Sequence, residues 1–269
     1  MPAIPKDTTD RNRTSPLAFT GNKFEFRMLG SSQSIAGPNI ALNTIMAEEL
    51  SKFADVLEQA EDFDAALHNL VCKAFTDHQR IIFDGNGYSG DWQVEAAQRG
   101  LSNLPSTPHA MPSYISPKNI ELVTKHGIFT EPELRARYAI HLESYNKIVN
   151  IEAKTMLDMA MRQILPGAMT YIRNLSDGVV AKKSFGAGCK AETSLITRLS
   201  DLADQLYDSC EQLKAHLALI PADFEAASCY YQQTILSDMA AIREAADELE
   251  TLTDRNCWPF PTYADLLYY

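Results

Sequence analysis

Apolar residues recur at helical spacing along most of this chain. From about 39 to 59, Ala41, Leu42, Ile45, Met46 and Leu50 form one stripe, and from about 63 to 80, Leu67, Leu70, Val71 and Phe75 form another. A short helix is predicted over 91–99, with Ser89 ahead of it as a cap. A long periodic segment runs from Glu131 to Leu165, opened by Thr130 with Glu133 three residues on. Pro166-Gly167 should stop or kink it, and a further helix follows to about Lys182. Residues 191–219 carry leucines at 195, 199, 202, 206, 213 and 217 in near-heptad order, and Pro221 ends that segment. Another helix is predicted over 223–252. The heptad leucines suit an intramolecular core or a dimerising coiled coil. Short breaks between long helices favour an antiparallel bundle.

Two stretches depart from this pattern. Prolines at 105, 108, 112 and 117 mark 101–119 as an extended connector. The first 38 residues are rich in proline and glycine. Inside them Lys23-Phe24-Glu25-Phe26-Arg27-Met28 alternates charged and apolar residues with the period of a strand. The fold class expected is mainly α: a short β-strand segment at the N-terminus, then a helical domain of long antiparallel helices.

Composition narrows the function classes. The chain has 269 residues, 45% hydrophobic and 22% charged, as in an ordinary globular protein. No run of ~18 consecutive apolar residues occurs, so no membrane span is expected, and the first residues have no apolar signal core. The net charge of −11 argues against nucleic acid as a partner. The five cysteines are odd in number and widely spaced, as in reduced thiols of a cytoplasmic protein. The six histidines are scattered, and Asp84-Gly85-Asn86-Gly87 reads as a turn lacking the closing glutamate of a calcium loop.

The strand is the place where chemistry concentrates. Lys23, Glu25 and Arg27 share one face, roughly 7 Å apart at each step. A carboxylate between two cations suits a site that holds a metal ion beside anionic substrates: the carboxylate takes the hard cation, the cations take phosphate or carboxylate. The alternative is an exposed sheet face whose charges pair with neighbouring strands, and the strand by itself favours it. The preceding Asp10-Arg11-Asn12-Arg13-Thr14-Ser15-Pro16 shifts the balance, because it can fold back and bring Arg13 to the same ligand.

The run from Asp10 through Thr20-Gly21-Asn22-Lys23-Phe24-Glu25-Phe26-Arg27, with Gly30-Ser31-Ser32-Gln33-Ser34-Ile35-Ala36-Gly37-Pro38-Asn39 after it, closely resembles the last catalytic motifs of glutamine synthetase in its long bacterial type III form. Phe83-Asp84-Gly85-Asn86-Gly87-Tyr88-Ser89 and Glu131-Pro132-Glu133-Leu134-Arg135-Ala136-Arg137-Tyr138 are similar to the same form. The resemblance implies a ligase that makes glutamine from glutamate, ammonia and ATP through γ-glutamyl phosphate, with Mg2+ or Mn2+ in the funnel of a curved sheet. In the full-length family the fold is α+β, and active sites form between subunits of a homo-oligomer. By motif, Arg13 resembles the arginine that stabilises the transferring phosphate, Lys23 stands at a nucleotide position where the family usually has arginine, Glu25 resembles a metal-binding glutamate, and Arg27 resembles the arginine that holds the substrate's carboxylate. Leu17-Ala18-Phe19 occupies the neighbourhood where shorter bacterial forms carry another arginine.

The resemblance also implies two domains, 1–120 as the last part of a catalytic domain and 121–269 as a helical C-terminal extension. The earlier family motifs are absent, so the other metal-binding carboxylates would lie upstream of Met1, and the chain alone is expected to be inactive. A different class stays open: a stand-alone helical-bundle interaction protein, with the strand charges as ordinary surface.

Overall fold

In the computed structural model the described residues are 17–19, 24–26, 30, 33–82 and 90–267, with 17–19, 24–26, 263 and 264 described by backbone alone. They are mainly helical. Leu17–Phe19 (β1) and Phe24–Phe26 (β2) pair antiparallel, with Ala18 opposite Glu25. The rest of the strand expected over 23–28 lies outside the described residues. The helices are α1 Ala36–Leu57, α2 Phe63–Asp77, α3 Gly90–Gln98, α4 Thr107–Tyr114, α5 Pro117–Lys125, α6 Glu131–Met159, α7 Leu165–Ser184, α8 Lys190–Leu217, α9 Phe224–Tyr230, α10 Leu236–Leu252 and α11 Tyr263–Leu267.

The chain divides into two compact units, Met1–Pro105 with Ser113–Leu134, and Ser106–Pro112 with Arg135–Tyr269. In the first, α1 packs on α2 and α5. Asp62 caps α2 by accepting the Ala65 N–H at 3.1 Å. The apolar stripes on these helices form but stay largely uncovered among the described residues. Leu50 is 59% exposed and Phe75 65%, and the only buried residue of α1 is Thr44. Thr44 directs its hydroxyl to the Ile40 carbonyl at 2.7 Å, which satisfies it inside its own helix.

The second unit has a built core. On α8, Leu199, Leu202, Ala203, Leu206, Cys210 and Leu213 are buried, three or four residues apart, so one stripe of the helix faces inward. This stripe packs between α7 and α10. The leucines therefore form an intramolecular core. Full burial of one such side chain is worth about 1.5–3 kcal/mol. The helix has 28 residues, or about 42 Å. The connections at 185–189 and 218–223 reach at most about 20 Å. A parallel return is out of reach, so α7, α8 and α10 run antiparallel in turn.

Two expectations are corrected. Of the stop or kink expected at Pro166-Gly167, the stop does not occur. From Ala160 to Ile164 the backbone widens into one π-turn, in which the Leu165 N–H reaches back to the Ala160 carbonyl, and α7 continues directly. Proline lacks an N–H and its ring crowds the carbonyl four residues earlier. A wider turn relieves that crowding without breaking the rod. A second π-turn, Tyr231–Ile235, joins α9 to α10 in the same way. Nor is 101–119 an extended connector, because α4 and the start of α5 lie within it. Pro108 and Pro117 occupy first-turn positions, where an N–H has no helical partner in any case. An N–H at position 112 would donate to the Pro108 carbonyl, and proline has none, so only that one bond is lost.

Candidate functional site

The cluster singled out by the sequence is not described: Arg13, Lys23 and Arg27 lie outside the described residues, and of Glu25 only the backbone is given. The loop at 83–89 also lies outside them. Three places among the described residues gather polar groups or form a groove.

In the first unit Glu48 of α1 is the hub. Its Oε2 accepts from Lys125 Nζ and His126 Nε2, each at 2.8 Å, and Lys52 Nζ stands 3.6 Å from Oε1. The hydrogen bond from Lys125, then that from His126, holds its carboxyl down from 4.5 to about 2. A group so acidic does not exchange protons near neutrality, so this is a clasp between α1 and the end of α5. The α6 start is closed by Glu133, which accepts from the Thr130 N–H and hydroxyl, both at 2.8 Å, at the cap the sequence marks.

In the second unit Asp238 is buried on α10. It accepts from Gln212 Nε2 at 3.0 Å and His216 Nδ1 at 2.6 Å, both on α8. His216 in turn accepts through its backbone carbonyl from the Tyr230 hydroxyl at 3.2 Å. Ser228, also buried, donates to Asn146 Oδ1 at 2.8 Å, and Asn146 Nδ2 donates to the Phe224 carbonyl at 2.9 Å. These contacts tie helices together and satisfy buried polar atoms. Burial pushes the Cys210 thiol up to about 11, so it stays a neutral core residue, not a nucleophile. Tyr138 is raised to about 12, first by burial and then by the Glu225 carboxylate it donates to at 3.0 Å.

The third place is a groove of about 620 Å3 between α6, α10 and the segment after Trp258. Ile151, Met159, Met239, Ile242, Trp258 and Phe260 give it an apolar floor, and Glu152, Arg243, Asp247 and Glu250 stand around it. Sequence reasoning missed it. Its residues are scattered over more than a hundred positions, and only the fold gathers them. Among the described residues no three metal-ligating side chains come together, and no helix is long and apolar enough to cross a membrane.

By fold, then, this is a mainly helical chain, and the candidate catalytic residues read from its sequence lie in the N-terminal motif. A family model described as the glutamine synthetase C-terminal domain matches residues 66–183. The chain is 36% identical over its whole length to a type-3 glutamine synthetase of Dictyostelium discoideum. It is 38% identical over 98% of its length to a glutamine synthetase of Butyrivibrio fibrisolvens, and 33% identical over its whole length to one of Bacteroides fragilis strain YCH46. Over its whole length the chain is thus similar to glutamine synthetases, and part of it matches that family's C-terminal domain. It spans 38% of the length of each of these relatives.

Proposed function

We propose that this chain is the C-terminal portion of a glutamine synthetase, a cytoplasmic homo-oligomer that joins ammonia to glutamate with ATP through γ-glutamyl phosphate. The observation that carries this reading is that similarity to glutamine synthetases covers the whole chain, the motif at 10–39 included. Residues 1–120 would complete the catalytic domain, and 121–269 would form a helical extension used for subunit packing or regulation.

The division of labour follows from phosphoryl transfer, where catalysis is mostly positioning and charge neutralisation. Arg13 would meet the charge on the transferring phosphoryl oxygens. Lys23 would hold the nucleotide as a point charge, a looser grip than the planar guanidinium usual there. Arg27 would take the glutamate carboxylate in a two-pronged hydrogen bond. Glu25 would give one oxygen to Mg2+ or Mn2+, ions that neutralise phosphate charge when bound. The described residues do not assemble a shell for such an ion, and one carboxylate is a small part of the six or more oxygens it takes. The remaining ligands would come from residues outside this sequence.

The test has two arms. Purified alone, the chain should form no glutamine from ATP, glutamate and ammonia. In a full-length synthetase carrying this sequence, Glu25→Ala and Arg27→Ala should each cut turnover by at least ~100-fold, the range for losing one electrostatic contact in the transition state. Glutamine formation by the isolated chain, or full activity in both variants, would overturn the reading. The second reading, a helical interaction protein without catalysis, draws on the self-contained core around α8. It requires that both variants leave activity, folding and association unchanged.

A further inference from the structure

We infer that the groove between α6 and α10 is the docking site of an amphipathic helix from a partner protein, with lysine or arginine beside its apolar face. The argument starts from α6. Its inward side is made by Leu142, Val149 and Ala153, all buried. Ile140, Ile148 and Ile151 stand on the opposite side of the same helix and are 60, 56 and 63% exposed. A surface helix carries one apolar stripe; α6 carries two, and nothing among the described residues covers the second.

That second stripe does not end in solvent. It runs through Ile151 and Thr155 to Met159, all of which line the groove. From Ile140 to Met159 is about 28 Å along the helix axis. A compact small molecule could fill the groove but would leave Ile140 and Ile148 bare. A helix of about 18 residues laid along α6 would cover the whole line. Met156, Met159 and Met239 suit such an occupant, because an unbranched thioether adapts to a neighbour's shape.

Charge decides between occupants. Of the four charged residues at the groove, Arg243 is taken by Asp247, whose two oxygens lie 3.1 and 3.0 Å from its Nε. Glu152 and Glu250 have no ion pair among the described residues, which leaves the groove with two uncompensated carboxylates. Beside the stripe, Lys147 and Arg162 are matched by Glu143 and Asp158 one turn earlier. Lys154 stands on the other edge of α6 and does not line the groove. A second copy docking through the same face would set these carboxylates against their own duplicates. The chain as a whole carries −11. A partner helix with cations at its apolar border turns both features from repulsion to attraction. This inference is independent of the catalytic reading and stands if the chain has no part in catalysis.

The test uses the full 269-residue chain with Trp92→Phe, so that Trp258 in the groove reports alone. The probe is a helical peptide of about 18 residues, leucine on one face and lysine on the other. Its control has the same composition in scrambled order, hence the same charge with no apolar face. The ordered peptide should change Trp258 emission and bind at least roughly ten-fold tighter than the scrambled one. Ile151→Ser with Met159→Ser, and separately Glu152→Lys with Glu250→Lys, should each weaken it by roughly ten-fold or more, about one good contact's worth. All four positions are at least partly exposed, and far-UV circular dichroism checks that the helices persist. Equal binding of the scrambled peptide, or parental affinity in either double variant, overturns the inference. So does a dimer in sedimentation that Ile151→Ser with Met159→Ser dissociates and that keeps the peptide from binding, which would give the groove to a second copy.

Discussion

At the scale of single residues, Gly167 shows what a local pattern conceals. Next to Pro166 it reads as a helix breaker. In the fold it lies in the first turn of α7, where the backbone of the segment around Cys257 presses against the helix. A Cβ on Gly167 would sit 2.6 Å from the Cys257 carbonyl oxygen and 3.4 Å from Pro259 Cδ. A backbone carbonyl cannot swing aside as a side chain does. Gly167→Ala should therefore destabilise the second unit by about 1–3 kcal/mol, the range for overpacking. Gly178, in the same helix, has open space around it. There alanine should stabilise by about 0.5–1 kcal/mol through the unfolded chain's lost freedom. Urea denaturation of the two variants checks the pair, and equal effects would show that the close approach is absent.

Glu48 carries a second prediction at this scale. Its folded carboxyl titrates at about 2, below the ordinary 4.5. The unfolded chain therefore holds more protons between these values, and stability rises with pH through that window. The clasp is fully present above pH 4.5 and fades as the pH falls towards about 2. Carbonyl-carbon NMR should find Glu48 titrating near the lower value. Lys125→Met should move it upward more than His126→Phe does, because the lysine bond is the larger cause. A midpoint unchanged in Lys125→Met would remove the lysine from the account. Neither partner is legible in the sequence, since Glu48 and Lys125 are far apart along it and nothing in their local patterns marks a pair.

At the scale of elements, the long helices were legible and their interruptions were not. The segments predicted over 191–219 and 223–252 appear as Lys190–Leu217 and as one rod from Phe224 to Leu252 with a π-turn inside. Helical periodicity survives a π-turn, so the pattern shows the rod and hides the extra residue. Proline misled in both places because its cost depends on position. Within a first turn, or after a widened one, it loses little. The heptad leucines left two readings open, since spacing names a seam and not the chain that fills it. Burial against α7 and α10 closes that question. Leu206 has no exposed surface, so Leu206→Ala should cost about 2–5 kcal/mol, transfer loss plus the cavity left behind. Urea denaturation followed at Trp258 measures it. Sedimentation should show the association state unchanged, whereas weakened association would revive the coiled-coil seam.

At the scale of the whole molecule, the two units are stabilised to very different degrees by the described residues. The second has Leu199, Leu206, Leu213, Ile235, Ile242 and Leu249 at 2% exposure or less. In the first, α2, α3 and α5 bury no residue, and Ile45, Leu50, Phe63, Phe75 and Ile82 are exposed. Sequence patterning could not reveal this difference, because an apolar stripe says that a face wants cover and not whether cover is supplied. Cooperative opening scales with the apolar surface an element buries. Amides of α2 and α3 should thus exchange with solvent by local opening, far below the cost of global unfolding. Amides of α8 and α10 should exchange only with unfolding of their unit. Hydrogen exchange by mass spectrometry on the 269-residue chain reads this directly. The same measurement in a full-length synthetase adds a second contrast. If the first unit completes a catalytic domain, α2 should become strongly protected there while α8 changes little. Protection of α2 equal to α8 in the isolated chain would mean that the stripes of the first unit are already covered and need nothing from the rest of an enzyme.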